Sequence, residues 1–347
     1  MQLRYAAEDE AFRDELVAWL ADNAPTLDEL ASSKHSSADL PPWARAWQRR
    51  LFDAGYLVPG WPPELGGRNA GPTQQMIYFE ELAARGLPRT TNPQGLGIAL
   101  PSILDYGTAS QKQQYVLPTL RAEIAWCLGM SEPGAGSDLA ALRTSAVKDG
   151  DTFVVNGQKV WTSGAHHADW CICYVRTDPD VPKHKGISAL IIDMKTPGIS
   201  CRPLPELTDP HYADFNEVFF TDVVVPEQNL LGELNGGWAL TQGSLAHERA
   251  MLWVQGAQNL MRMADVLIAD AKNRSADARS RDAVAGLWID AQSMMLMGYR
   301  GFAKYARGKA SPEHSILKLF GTETERRMAL VGAELLGDDA VDHAILG

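Results

Sequence analysis

The spacing of apolar residues changes twice along this chain, and that change restricts the fold more than any single motif. In residues 8–23, Phe12, Leu16, Val17 and Leu20 recur at helical spacing, and Pro25 follows as a stop. Residues 43–54 repeat the pattern through Trp47 and Leu51, and a third helical stretch covers residues 73–85. Between them "PGWPPELGGRNAGP", residues 59–72, is a loop dense in turn formers, and "TASQKQQYVLPTL" opens with a cap at Thr108 or Ser110. The middle of the chain has a different texture. "TFVVNGQKVW" places Asn156-Gly157 between two β-type runs, which predicts a hairpin. "WCICYVRT", "GISALIIDM" and "NEVFFTDVVVP" are rich in β-branched and aromatic residues, so successive strands are expected between about residues 122 and 232. After Gly236-Gly237 the helical period returns. One stripe is Leu260, Met263, Ala264 and Leu267; another is Val284, Leu287, Trp288, Ala291, Met295, Gly298 and Phe302. Pro312 suits the first turn of a further helix carrying Ile316, Leu317 and Phe320. The expected class is α+β: an N-terminal α domain over residues 1–121, a middle β-barrel-like domain over 122–232 and a C-terminal helical bundle domain over 233–347.

Charge and composition narrow the function. The net charge of -11 would repel nucleic acid and anionic membrane surfaces alike. The four cysteines, Cys127, Cys171, Cys173 and Cys201, form no C-x-x-C pair, and they read as core packing in a reducing compartment. His166-His167 has no carboxylate or cysteine at ligand spacing, so a solvent-facing loop is expected there, with no metal. Residues 1–10 are acidic with no apolar core, and no run of about 18 apolar residues occurs, so a cytoplasmic chain is expected.

Two short stretches carry the chemistry. In "WCLGMSEPGAGSDLAAL", residues 126–142, proline and glycines break an apolar run, which predicts a tight loop leaving a buried strand. Such a loop offers several backbone NH groups and two hydroxyls, the groups that hold a phosphate or a polar ring edge. An ordinary turn ending a strand is the competing account. Trp161 and Ser163 stand two apart; on a strand they share a face, where an indole and a hydroxyl meet one ring together. In a chain with ten tryptophans, a buried core Trp beside a turn Ser is the alternative.

The 128–137 loop, "GQKVWTSG" at 157–164, "FNEVFFTDVVVP" at 215–226 with "NLLG" just beyond, and "LAHER" at 245–249 together resemble the acyl-CoA dehydrogenase family in order and spacing. The resemblance implies an FAD-dependent oxidoreductase that dehydrogenates an acyl-CoA thioester between its α and β carbons, in β-oxidation-type lipid degradation. It implies that the backbone at Leu128, Met130, Ser131 and Gly136 lies along the flavin, and that Ser137 reaches a phosphate oxygen and the substrate's pantetheine. Trp161 would pack beside the flavin and Ser163, often Thr in the family, would hydrogen-bond its N5. The family's binding site lies where the β domain meets the C-terminal bundle. Some members carry the catalytic glutamate on the first bundle helix immediately before an arginine, which carries that role onto Glu248 as base, with Arg249 as a substrate contact; a surface ion pair is the alternative for Glu248. Expected partners are the acyl-CoA substrate, an electron-transfer flavoprotein as acceptor, and further subunits in a homo- or hetero-oligomeric dimer or tetramer.

The sequence also departs from the family pattern. It stops at Gly347 before the family's usual C-terminal cofactor loop, "RSADARSRD" at 274–282 replaces an Arg-x-x-Phe-Gly segment, and Glu334, Gly337 and Asp338 stand where a Gln and paired glycines are common. "GTETER", residues 321–326, imitates the missing loop but falls within a helical pattern. A half-site subunit of a hetero-oligomer, or a flavin oxidase or monooxygenase, is the other use of such a chain.

Overall fold

The computed structural model describes residues 5–32, 36–206, 212–305, 307 and 313–341; for residues 243–253, 255, 305, 314, 315 and 341 it describes the backbone alone. Nine helices are described: α1 (Ala7–Asn23), α2 (Leu27–Ala31), α3 (Pro42–Asp53), α4 (Pro72–Ala84), α5 (Leu100–Tyr106), α6 (Ala109–Leu120), α7 (Gly237–Asn273), α8 (Ala278–Tyr305) and α9 (Glu313–Leu336). Local chemistry sets their starts. Pro42 and Pro72 occupy first helical positions, where a missing N–H costs nothing. At α6 the cap is Thr108 and not Ser110: the Gln111 amide donates to Thr108 Oγ1 at 3.2 Å while the Thr108 amide donates to Gln111 Oε1 at 3.0 Å.

Eight strands separate α6 from α7: β1 (Trp126–Gly129), β2 (Ser145–Asp149), β3 (Thr152–Lys159), β4 (Trp170–Arg176), β5 (Ile187–Asp193), β6 (Ile199–Pro203), β7 (Asn216–Pro226) and β8 (Leu230–Leu231). They form one sheet in the order β6-β7-β3-β2-β4-β5-β8, with β1 parallel to β4 so that Cys127 faces Cys171 and Gly129 faces Cys173. Phe153, Val155, Val175, Leu190, Ile192, Val218, Phe220, Val223 and Val225 build the core of this unit together with Cys127, Cys171 and Cys173.

The hairpin expected at Asn156-Gly157 is not there. Both residues lie inside β3, and the turn between β2 and β3 falls at Gly150, which has φ +60°. The register of β3 against β7 slips here: Val155 pairs with Val223 but Gly157 pairs with Phe220. The extra residue belongs to β7, where Asp222 takes φ +49° and binds the Asn156 side chain through its carboxylate and its amide. Because of that bulge the inward residues of β7 change from Val218 and Phe220 to Val223 and Val225, while those of β3 stay at odd positions. Gly157 is required for a different reason than a turn: a Cβ there would stand 2.6 Å from Thr144 Cα.

The chain divides into two compact units, one made of Trp19–Asn69 and Pro88–Glu248, the other of Met1–Ala18, Ala70–Leu87 and Arg249–Gly347. In the second, Leu260, Ala264 and Leu267 of α7 pack with Val284, Leu287, Ala291 and Phe302 of α8, Leu317 and Met328 of α9, and Met76 of α4. Of the expected stripe on α8, Val284, Leu287, Ala291, Gly298 and Phe302 are buried and Met295 packs against the core, while Trp288 is 40% exposed and Met294 is buried in addition. Met294 packs on Gly321 of α9, where a Cβ would meet its Cε at 3.0 Å. "GTETER" lies wholly within α9, and Pro312 lies outside the described residues. The carboxylate of Glu80 joins α4 to two other segments by accepting from Tyr5 Oη at 3.1 Å, from Arg13 Nη2 at 3.3 Å and from Tyr299 Oη. Among the described residues no helix is long and apolar enough to cross a membrane.

Gly157→Ala places a methyl group against the Thr144 backbone and is expected to lower stability by about 1–3 kcal/mol, read from the urea midpoint at unchanged slope.

Candidate functional site

Strand β1 ends at Gly129, where a Cβ would lie 3.0 Å from Cys173 Sγ and 3.2 Å from Cys171 Sγ. The chain then leaves the core as a loop. Glu132 and Ala135 exchange two backbone hydrogen bonds of 3.0 Å and close a tight turn around Pro133-Gly134. Leu128, Met130 and Ser131 are half-buried, and Gly136 and Ser137 are exposed. Among the described residues the amides of Met130, Ser131, Gly134, Gly136 and Ser137 donate to no protein group. Unpaired donors concentrated in one loop are a receptor for an anion or a polar ring edge.

What holds the loop was not read from the sequence. Lys159, the last residue of β3, has no exposed side-chain surface; its ammonium donates to Glu132 Oε1 at 2.8 Å and to the Met130 carbonyl at 3.0 Å. Glu132 also accepts from the amides of Arg143 at 2.6 Å and Thr144 at 2.9 Å. The next residue, Val160, donates its amide to the Ser131 carbonyl at 2.9 Å. Burial pushes the Glu132 carboxyl up, but the Lys159 ammonium and the donors from Thr144 and Arg143 outweigh it and hold the group below the usual carboxylate range. The signal available in the sequence is parity. Lys159 continues the odd-numbered inward set of Phe153 and Val155, and the nearby loop contains one acidic residue before its first glycine.

Trp161 and Ser163 follow directly, but not on a strand. β3 stops at Lys159 and Trp161 takes φ +60°, so its side-chain direction comes from a left-handed backbone and not from strand alternation. The indole is 62% exposed and meets the edge of the Phe215 ring at a centroid distance of 6.1 Å, so the buried core Trp does not describe it. Thr162 is buried and exchanges backbone hydrogen bonds of 3.1 Å with Asn216, and Gly164 donates to the Asp214 carbonyl at 2.8 Å. Gly164 has φ +68° and packs so closely on Ala38 that a Cβ would lie 2.5 Å from its nitrogen. Half-buried Ser163 sits between these two fixed points, and among the described residues its hydroxyl has no protein partner.

The structure therefore brings Met130, Ser131, Trp161 and Ser163 to the two chain segments that Lys159 and Val160 join. Gly136 and Ser137 extend the same loop outward. Glu248 and Arg249 lie on α7, and their side chains are outside the described residues. His166 and His167 are exposed with ring centroids 4.2 Å apart, and His166 Nδ1 meets Asn216 Oδ1 at 2.9 Å. Among the described residues no group of three metal-ligating side chains occurs. The thiols of Cys171 and Cys173 are pushed far up, Cys171 first by its hydrogen bond to Cys127 and Cys173 first by its bond to Cys171, and burial adds to both shifts. A protonated thiol is a packing group here.

The acyl-CoA dehydrogenase family models for the N-terminal, middle and C-terminal domains match residues 6–123, 127–223 and 235–345. Acyl-CoA dehydrogenase FadE34 of Mycobacterium tuberculosis is 41% identical over 313 residues, which are 89% of this chain and 43% of FadE34, so the chain spans under half of that relative. A solved structure described as the Tcur3481-Tcur3483 steroid ACAD is 31% identical with a TM-score of 0.82, covering 98% of this chain and 87% of that one. The ChsE4-ChsE5 complex from Mycobacterium tuberculosis is 31% identical with a TM-score of 0.80, over 98% of this chain and 87% of the matched chain. The chain belongs to the acyl-CoA dehydrogenase family.

Because the folded Glu132 group titrates below its ordinary value near about 4.3, its contribution is present above that pH and is lost as pH falls through the folded value. The urea midpoint should fall steeply below about pH 4 in the wild type. Glu132→Gln should cost about 3 kcal/mol at pH 7, by leaving a buried ammonium without its counter-charge, and should flatten the acid limb.

Proposed function

We propose that this chain binds FAD and dehydrogenates an acyl-CoA thioester between its α and β carbons. One observation carries the reading: a loop whose amides have no acceptor among the described residues lies beside an exposed left-handed Trp161 and a Ser163 hydroxyl likewise without a described partner, in a chain of this family. The donor set fits the cofactor. In this reading the backbone at Leu128, Met130, Ser131 and Gly136 lines the polar edge of the ring, Ser137 holds a phosphate oxygen and the pantetheine, Trp161 covers the ring and Ser163 donates to N5. When bound, FAD supplies the hydride acceptor at N5. The chain's own contribution is to orient that ring and to move a proton. Glu248 on α7 removes the α proton, which the thioester carbonyl acidifies, and Arg249 beside it contacts substrate. Fixed amide donors at the ring edge stabilise charge that builds up there with little reorganisation.

The domains are proposed as residues 1–121, 122–232 and 233–347. An electron-transfer flavoprotein is the proposed acceptor, and oligomers with a paralogous chain are the proposed assembly. The partnership is supported by the similarity to one chain of the ChsE4-ChsE5 complex and by exposed Ile289 and Leu296, which recur seven residues apart on one face of α8. The half-site subunit is the second reading, favoured by the same similarity. The steroid-type relative makes a bulky ring-bearing acyl group the first substrate class to try.

Anaerobic titration of the flavin-loaded protein with a panel of acyl-CoAs, followed by absorbance, is the test: bleaching of the flavin band by at least one thioester is expected, and a protein that takes up no flavin with or without partner chains refutes the reading. Trp161→Ala should weaken FAD retention roughly tenfold by removing a large aromatic contact, measured by fluorescence quenching. Glu248→Gln should keep FAD and acyl-CoA binding but slow single-turnover flavin reduction by about 10²–10⁴-fold. Near-normal reduction in that variant would place the base elsewhere, on another residue or on a partner chain.

A further inference from the structure

We infer that Lys159 is the positioning residue of the cofactor loop, acting through the Met130 carbonyl to aim the Ser131 amide. The inference rests on the FAD reading above, and on a geometric argument that does not. The peptide between Met130 and Ser131 is planar and trans, so its C=O and N–H point in opposite directions. The Met130 oxygen is drawn inward by the fully buried Lys159 ammonium at 3.0 Å, and the Ser131 N–H is thereby turned away from the core. No protein group accepts from that amide among the described residues, which is what a donor reserved for a ligand requires. The following carbonyl, Ser131, is fixed by the Val160 amide at 2.9 Å, so the peptides on both sides of Ser131 are held.

A buried ion pair alone does not require this arrangement. A buried ammonium needs acceptors beyond its carboxylate, but not this one in particular: the carbonyl it uses belongs to a peptide whose N–H has no protein acceptor among the described residues. The lysine uses both acceptors. Its carboxylate partner balances the charge, and the remaining ammonium hydrogen bond acts on the peptide whose far side is the free donor. Trp161 stands two residues beyond, so one side chain sets both the amide and the start of the segment that carries the indole.

The two roles separate in two variants. Lys159→Met with Glu132→Gln removes both charges together, so no ion is left buried without its partner. A crystal structure of this double variant without flavin should show the Met130–Ser131 peptide turned from its wild-type direction. The flavin-loaded protein should bind FAD about tenfold or more weakly, with a more negative flavin reduction potential. Glu132→Gln alone keeps the Lys159 to Met130 contact and should hold FAD within about threefold of wild type, at lower stability. An unchanged peptide direction in the double variant overturns the inference. So does a loss of FAD affinity in Glu132→Gln equal to that of the double variant. If the double variant does not fold, the single variant still decides, since its loss of affinity would place the effect in the ion pair and not in the carbonyl. A wild-type chain that binds no FAD would refute the function proposed above and leave the peptide measurement standing.

Discussion

The Lys159 ammonium, buried against Glu132 and the Met130 carbonyl, is the group on which the candidate site depends. An ammonium and a carboxylate removed from water cost several kcal/mol each, and their attraction offsets this only when the remaining donors and acceptors are also satisfied. Here they are satisfied by backbone: the Met130 carbonyl on one side and the amides of Arg143 and Thr144 on the other. The pair therefore links three places in the chain, namely the exit of β1, the far end of its loop and the end of β3. Replacing both residues with apolar ones would leave those three backbone segments without their partners, so stability and loop geometry would be lost together.

Helix positions were legible because punctuation in the chain is local. Predicted spans at 8–23, 43–54 and 73–85 fall within one residue of α1, α3 and α4, where Pro42 and Pro72 fix the starts of two. β3, β4, β5 and β7 were legible from β-branched runs, whereas the short β2, β6 and β8 carry no such run. Strand order was not legible, since pairing β3 with β7 and β1 with β4 joins residues 44 to 74 positions apart that no short window contains. The Asn-Gly signal failed for a related reason. Those residues do suit φ above zero, yet the demand at Gly157 comes from Thr144, thirteen residues away, and Asn156 binds the bulge residue Asp222.

The candidate site was legible to the same degree. The 128–137 loop announced itself by its proline and glycines, and the Trp161 and Ser163 pair was singled out, but strand alternation was the wrong ground for it. A residue at φ +60° directs its side chain by local backbone geometry, which apolar spacing does not reveal. Lys159 stayed hidden because a lysine in a strand ordinarily reads as solvent-facing, and only its Glu132 partner makes the inward face tolerable.

The bulge in β7 and the buried lysine are parts of one device. Without an extra residue near Asp222, the antiparallel register that pairs Val155 with Val223 would continue as Gly157 with Thr221 and Lys159 with Phe219. β7 would then turn Val218 and Phe220 out of the core, exposing two large apolar side chains. The bulge corrects the parity of β7 and leaves β3 unchanged, so Val218 and Phe220 remain inside while Lys159 keeps its inward position across from Val218. A β3 that had absorbed the bulge instead would turn Lys159 to solvent, away from Glu132 and Met130. The placement of one irregular residue on the neighbouring strand thus decides whether the Ser131 amide faces outward.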